Sequence, residues 1–106
     1  MGSARCWTSK SIAALNVHLE QPPTRPQLVR LVATVQAWYE EGFSGAFGGS
    51  GFHSLSGPTT DARVIRWDAD LGSADAELAV RALALRLASL PDVKVTRIVL
   101  GAQSTG

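Results

Sequence analysis

Cysteine is almost missing from this sequence: Cys6 is the only one in 106 residues. A single thiol excludes an intramolecular disulfide and excludes zinc sites built from cysteine pairs. Cys6 falls in residues 1–10, which read as a loose segment with no base beside the thiol, so it is read as incidental. Histidine is scarce as well, with His18 and His53 alone. Lysine is represented only by Lys10 and Lys94, against eight arginines. That bias suits a GC-rich bacterial genome. No apolar run approaches the about 18 residues that a membrane span requires. The N-terminus lacks the basic-then-apolar order of a secretory signal, so the cytoplasm is the expected location. Excess charge is missing too: 10 Lys+Arg against 9 Asp+Glu leave a net charge of +1. A dedicated nucleic-acid binder would show a basic stripe, and none is visible.

What remains is the material of a core. Hydrophobic residues make up 45% of the chain, which argues against disorder. The length suits one domain, and a domain of this size needs neither metal nor disulfide to fold. No cofactor and no metal ligand set is expected.

Residues 11–20 alternate, with Leu15, Val17 and Leu19 against Asn16, His18 and Glu20. Period two gives a strand with one buried face. Pro22 and Pro23 end it. Thr24 and Gln27 then stand at capping-box spacing, with Pro26 in a first turn. Leu28, Leu31, Val32, Val35, Trp38 and Tyr39 follow at helical spacing, so a helix is predicted over 24–41, stopped by Gly42.

The glycine-rich stretch 43–51 is the one odd composition. A short strand is predicted over 52–56, a turn over 57–61 and a strand over 62–68, together a hairpin. Ser73 reads as the cap of a second helix over 73–90, with Asp75 and Glu77 at its positive end. Val80, Leu83, Ala84, Leu87 and Leu90 form its stripe, and Leu78, Ala82 and Leu85 widen it. The last strand, 93–100, is apolar on both faces.

The order β-α-β-β-α-β is that of the ferredoxin-like plait, an α+β fold with two helices on one face of a four-stranded antiparallel sheet. It spans residues 11–101 of a single domain, between the loose segment 1–10 and a polar tail, 102–106. The fold selects no function.

Several constellations were candidates for chemistry. The glycines of 45–51 lack the Walker lysine and follow a helix instead of preceding one, so a phosphate loop is not read there. A lid over a pocket is the functional reading, with Trp38, Tyr39, Phe47, Gly48, Gly49 and His53 as the ligand-binding set. His53 and Glu40 are the weak catalytic candidates, because both lie beside that stretch and a histidine or carboxylate can serve as acid or base. Glu40 and Glu41 sit at the helix end where the dipole disfavours negative charge, so an arginine partner is the plain alternative. Asp68 and Asp70 stand at i, i+2, on one side of the strand if it continues. Arg63-Val64-Ile65-Arg66-Trp67 does not match an RNA-recognition motif. No nucleophile–base–orienter set is visible in the sequence, and such a set is what catalysis needs.

The leading expectation is therefore a binding or interaction module that associates with itself as a homodimer or higher oligomer. The alternative is a small plait enzyme using a carboxylate or His53. A nucleic-acid binder comes third. Self-association is expected through the open sheet face, where Ile98 and Leu100 would be exposed if Val95 and Val99 faced the helices. Trp7 folding back over that face would instead keep the chain monomeric.

Overall fold

The computed structural model describes residues 12–102, so Cys6, Trp7 and the expected polar tail beyond 102 lie outside the described residues. The elements run β1 (Ile12–Leu19), α1 (Arg25–Phe43), β2 (Ser54–Asp61), β3 (Val64–Asp70), α2 (Ala76–Ala88) and β4 (Val95–Ala102). The four strands form one open sheet in the order β2-β3-β1-β4, and every neighbouring pair is antiparallel. No helix among the described residues is long and apolar enough to cross a membrane.

The first strand turns Ala13, Leu15, Val17 and Leu19 inward, as its alternation requires. These side chains meet Ile65, Trp67 and Ala69 of β3 and the inner faces of both helices. Leu31, Val35 and Trp38 from α1 and Ala79, Leu83 and Leu87 from α2 are all buried there. Both helices thus cover the same side of the sheet.

Thr24 caps α1. Its hydroxyl accepts from the Gln27 N–H at 3.3 Å, and the Gln27 side chain accepts from the Thr24 N–H at 2.9 Å. The reciprocal bonds satisfy two amides that the helix start would otherwise leave open. The helix does not stop at Gly42 but continues to Phe43, with Ser44 as its C-cap. Gly42 has a different task. The ring of Phe52 lies against its backbone, in the space a Cβ would occupy.

The second helix starts later than Ser73. Asp75 is the cap, and its carboxylate accepts from Glu77 N–H at 3.1 Å and Leu78 N–H at 3.2 Å. Ser73 instead accepts a hydrogen bond from the Ser50 N–H. Ala84, expected in the buried stripe, is exposed, and Ala79 takes the core position.

The hairpin also differs from expectation. Its turn is Ala62-Arg63, not 57–61, and Ala62 takes a positive φ of 54° there. Gly57 and Pro58 lie inside β2, where the pair stands opposite Trp67 alone as a bulge between Ser56 and Thr59. Turn-forming residues serve a bulge as well as a turn, because both need an unpaired amide.

The register of β4 corrects the expectation about its two faces. Leu100 lies opposite Leu15 and Ile98 opposite Val17, so both point to the helix side and pack against the core. Val99 and Arg97 lie opposite Asn16 and His18, on the open face. An irregularity between His18 and Leu19 lets Val95 share the inner side with Ile98. The open face is therefore not the apolar patch expected of it. It carries Asn16, His18, Arg66, Asp68 and Arg97 around Val99.

Candidate functional site

The glycine-rich stretch, expected as a lid, is a turn whose backbone bonds to its neighbours. Its backbone is tied to the end of α1 by Gly45 N–H to Gly42 O and Ala46 N–H to Glu41 O, each 3.1 Å. Phe52 N–H reaches Gly42 O at 2.9 Å, and Asp75 N–H reaches Phe47 O at 2.8 Å. Phe47 and Phe52 are both buried.

Those rings and Trp38 make a closed aromatic cluster. Trp38 and Phe52 have centroids 5.0 Å apart, and Phe47 and Phe52 5.6 Å. Tyr39 stacks on Phe52 at 6.1 Å. The Trp38 indole N–H donates to Ala79 O in α2 at 2.8 Å, so its polar tip is satisfied inside the core. Trp38 and Phe47 thus fill the space in which a ligand pocket was expected. Tyr39 is half-buried at the cluster's margin, and Gly48 and Gly49 are exposed on the turn.

Glu40 is exposed and accepts from the Gln36 side chain at 3.4 Å, with no bond to His53. Glu41 pairs with Arg86 of α2 at 2.6 Å, the arginine partner that offsets its place at the helix end. Asp68 pairs with Arg66 at 3.1 Å. His18 lies on β1, which neighbours β3 and β4, so it does not meet His53 beside β2. Among the described residues no group of three His, Cys, Asp or Glu is placed to hold a metal.

Around His53 the structure brings together residues that the sequence kept apart. The His53 backbone N–H donates to Asp70 O at 2.7 Å, which holds the His53 main chain beside the end of β3. Asp70 Oδ1 accepts from Gly72 N–H at 3.0 Å, and its Oδ2 stands 3.7 Å from His53 Nδ1. On the other side of the ring, Nε2 lies 3.4 Å from Ser50 Oγ. Ser73 holds the turn: its Oγ accepts from Ser50 N–H at 2.9 Å. Gly49 makes this approach feasible, because with φ at +64° a Cβ there would collide with Ser73. Ser50 and Asp70 were missing from the sequence-predicted site. Asp70 belongs to a carboxylate pair whose strand position alone was apparent, and Ser50 sits inside a stretch read only for its glycines.

A second feature lies at the sheet edge. Between α2 and β4 runs a groove of about 620 Å³, lined by Val80, Ala84, Leu87, Leu90, Val95 and Ile98 among others. Leu19 N–H donates to Arg63 O, and Glu20 N–H to Lys94 O, so successive residues of β1 turn their backbones to opposite neighbours. By that alternation Asn16 and Ala14 bond to Val99 and Gly101, their partners in β4. Ile98 and Leu100 then direct their N–H and C=O groups away from the sheet.

Comparison with models of protein families, with characterised proteins and with solved structures finds no match to this chain.

Proposed function

We propose that the protein is a small interaction module of the ferredoxin-like plait type that works as a homodimer joined through its β4 edges. The strand order β2-β3-β1-β4 with two helices on one side supports the plait. The arginine bias and the single cysteine go with a bacterial cytoplasmic setting as part of the same reading.

The observation that carries the dimer is the contrast between the two sheet edges. β2 is protected against strand addition: it contains Pro58, a bulge, and the polar residues Ser54, Ser56, Thr59, Thr60 and Asp61. β4 has none of these protections along Ile98–Leu100. It contains no proline and carries Val95, Ile98, Val99 and Leu100. Its outward backbone groups call for a strand, and the groove that runs beside it from Val93 to Ile98, with Lys94, Thr96 and Arg97 among its otherwise apolar lining, has room for apolar side chains.

A second copy of β4 meets both needs. With antiparallel strands centred on Val99, Ile98 faces the partner's Leu100, and Arg97 faces the partner's Gly101. Like charges stay out of register, and the inner apolar row continues across the junction. The arrangement is two-fold and closes on itself. A stable contact of this kind needs to bury at least about 1,000 Å² in total.

Sedimentation equilibrium at micromolar concentration tests the reading. The wild type and Thr59→Lys, on the β2 edge, are expected at dimer mass. Val99→Lys, which places two ammonium groups opposite each other, and Ala84→Arg, which fills the groove with a charged side chain, are expected at monomer mass. A monomeric wild type, or dimers that Val99→Lys and Ala84→Arg leave intact, would overturn it.

A further inference from the structure

We infer that Ser50, His53 and Asp70 form a nucleophilic site that accepts acyl groups from activated carboxylic esters. This inference is independent of the dimer and rests on the placement of these three side chains at the end of β3.

The three side chains stand in the order that acyl transfer requires. Asp70 spends Oδ1 on the Gly72 amide, at 3.0 Å, and so presents Oδ2 toward His53 Nδ1 at 3.7 Å. A carboxylate on that side favours the tautomer with the proton on Nδ1. Nε2 is then left as an acceptor, and Ser50 Oγ lies 3.4 Å from it. The backbones are held independently of these contacts. Ser50 is tied by its N–H to Ser73 Oγ, and His53 by its N–H to Asp70 O. The separations exceed those of closed hydrogen bonds, as is common in free enzymes before substrate draws the groups together.

The chemistry follows from the positions. Ser50 Oγ attacks the ester carbonyl carbon, forming the Oγ–C bond while its proton passes to His53 Nε2. The tetrahedral adduct collapses, the C–O bond to the leaving group breaks, and the departing oxygen takes the proton from Nε2. The products are an alcohol or phenol and an acyl ester on Ser50. Water then attacks that ester with Nε2 as base, releasing a carboxylic acid and restoring the hydroxyl. Asp70 acts through His53 and is a positioning residue. The His53 side chain is 54% exposed and Ser50 is exposed, so the site suits unhindered acyl groups, with reactivity supplied by the leaving group.

The test uses 4-nitrophenyl acetate with the full chain carrying Cys6→Ser, which removes the competing thiol. The expected result is release of 4-nitrophenol with an acetyl group on Ser50, located by peptide mass spectrometry. Ser50→Ala should abolish the acetylated peptide and slow release by about a hundredfold. His18→Gln should change neither. Asp70→Asn should lower the rate of acylation at neutral pH by at least about tenfold with KM unchanged, and Asp70→Glu should recover part of that rate, a pattern that a purely structural carboxylate would not give. Circular dichroism confirms that each variant is folded. Release by Ser50→Ala at the parent rate, or no release by the parent above that of buffer, would overturn the inference; an exposed imidazole acting alone would produce the first of these.

Discussion

Val17 of β1 faces Ile98 of β4 across the sheet, and this one pairing decides which side of the last strand is buried. Because Val17 is fully buried against the helices, its partner turns inward too. Val99, one residue on, stands on the open face at 36% exposure. A shift of one residue would exchange the two sets.

The pairing sets an order of sensitivities. Ile98→Ala should cost about 1–2 kcal/mol, as expected for a half-buried aliphatic side chain. Val99→Ala should cost less than about 0.5 kcal/mol in the dilute monomer. Urea denaturation at submicromolar concentration distinguishes them, and the reverse order would mean that the register is wrong.

Phe52 and Gly42 make a second relationship open to measurement. The ring occupies the space of the missing Cβ, so Gly42→Ala overpacks the aromatic cluster. The expected loss is about 1–3 kcal/mol. Adding Phe52→Leu to Gly42→Ala should recover part of it, because the smaller side chain vacates that space. Independent, additive losses in a double-mutant cycle would contradict the contact.

Much of the fold was legible because its signals are local. Thr24, Pro26 and Gln27 announce a helix start at fixed spacing, and Leu15, Val17 and Leu19 announce a strand by alternation. The boundaries that moved were those with two physical solutions. Gly57-Pro58 suits a turn or a bulge, and Ser73 or Asp75 can cap a helix. The faces of β4 were not legible, since Val95, Ile98, Val99 and Leu100 are apolar on both sides and only pairing with β1 distinguishes them.

The site divides in the same way. His53 was singled out for its side-chain chemistry beside an unusual stretch. Its partner Asp70 is brought near by the pairing of β2 with β3, a long-range relationship with no local signature. Trp38 and Phe47 were read as pocket walls because they are aromatic and adjacent to glycines. In the folded chain they fill one another's space, which residue type alone does not indicate.

Trp38 provides a third prediction. Its indole N–H bonds the Ala79 carbonyl across the helix pair, inside the core. Trp38→Phe removes the donor and part of the ring, and should cost about 2–4 kcal/mol from the lost bond and the cavity together. Chemical denaturation measures it. A loss below about 1 kcal/mol would be incompatible with a buried bond between α1 and α2.

The helix start offers a smaller effect. Thr24→Ala removes the hydroxyl that accepts from Gln27 N–H and should cost about 1 kcal/mol. Thr24→Ser, which keeps the acceptor, should remain within a few tenths of wild type. Equal losses for both variants in thermal denaturation would assign the effect to the methyl group and not to the cap.

Self-association through β4 is tested most directly by residue-resolved amide hydrogen exchange at Ile98 and Leu100. Their N–H groups point away from the sheet and have no strand beside them among the described residues, whereas those of Val99 and Gly101 bond to β1. At high protein concentration the dimer predicts slow exchange at both outward amides, accelerating on dilution while Val99 and Gly101 stay protected. Rapid exchange at Ile98 and Leu100 at every concentration would contradict the edge-to-edge dimer.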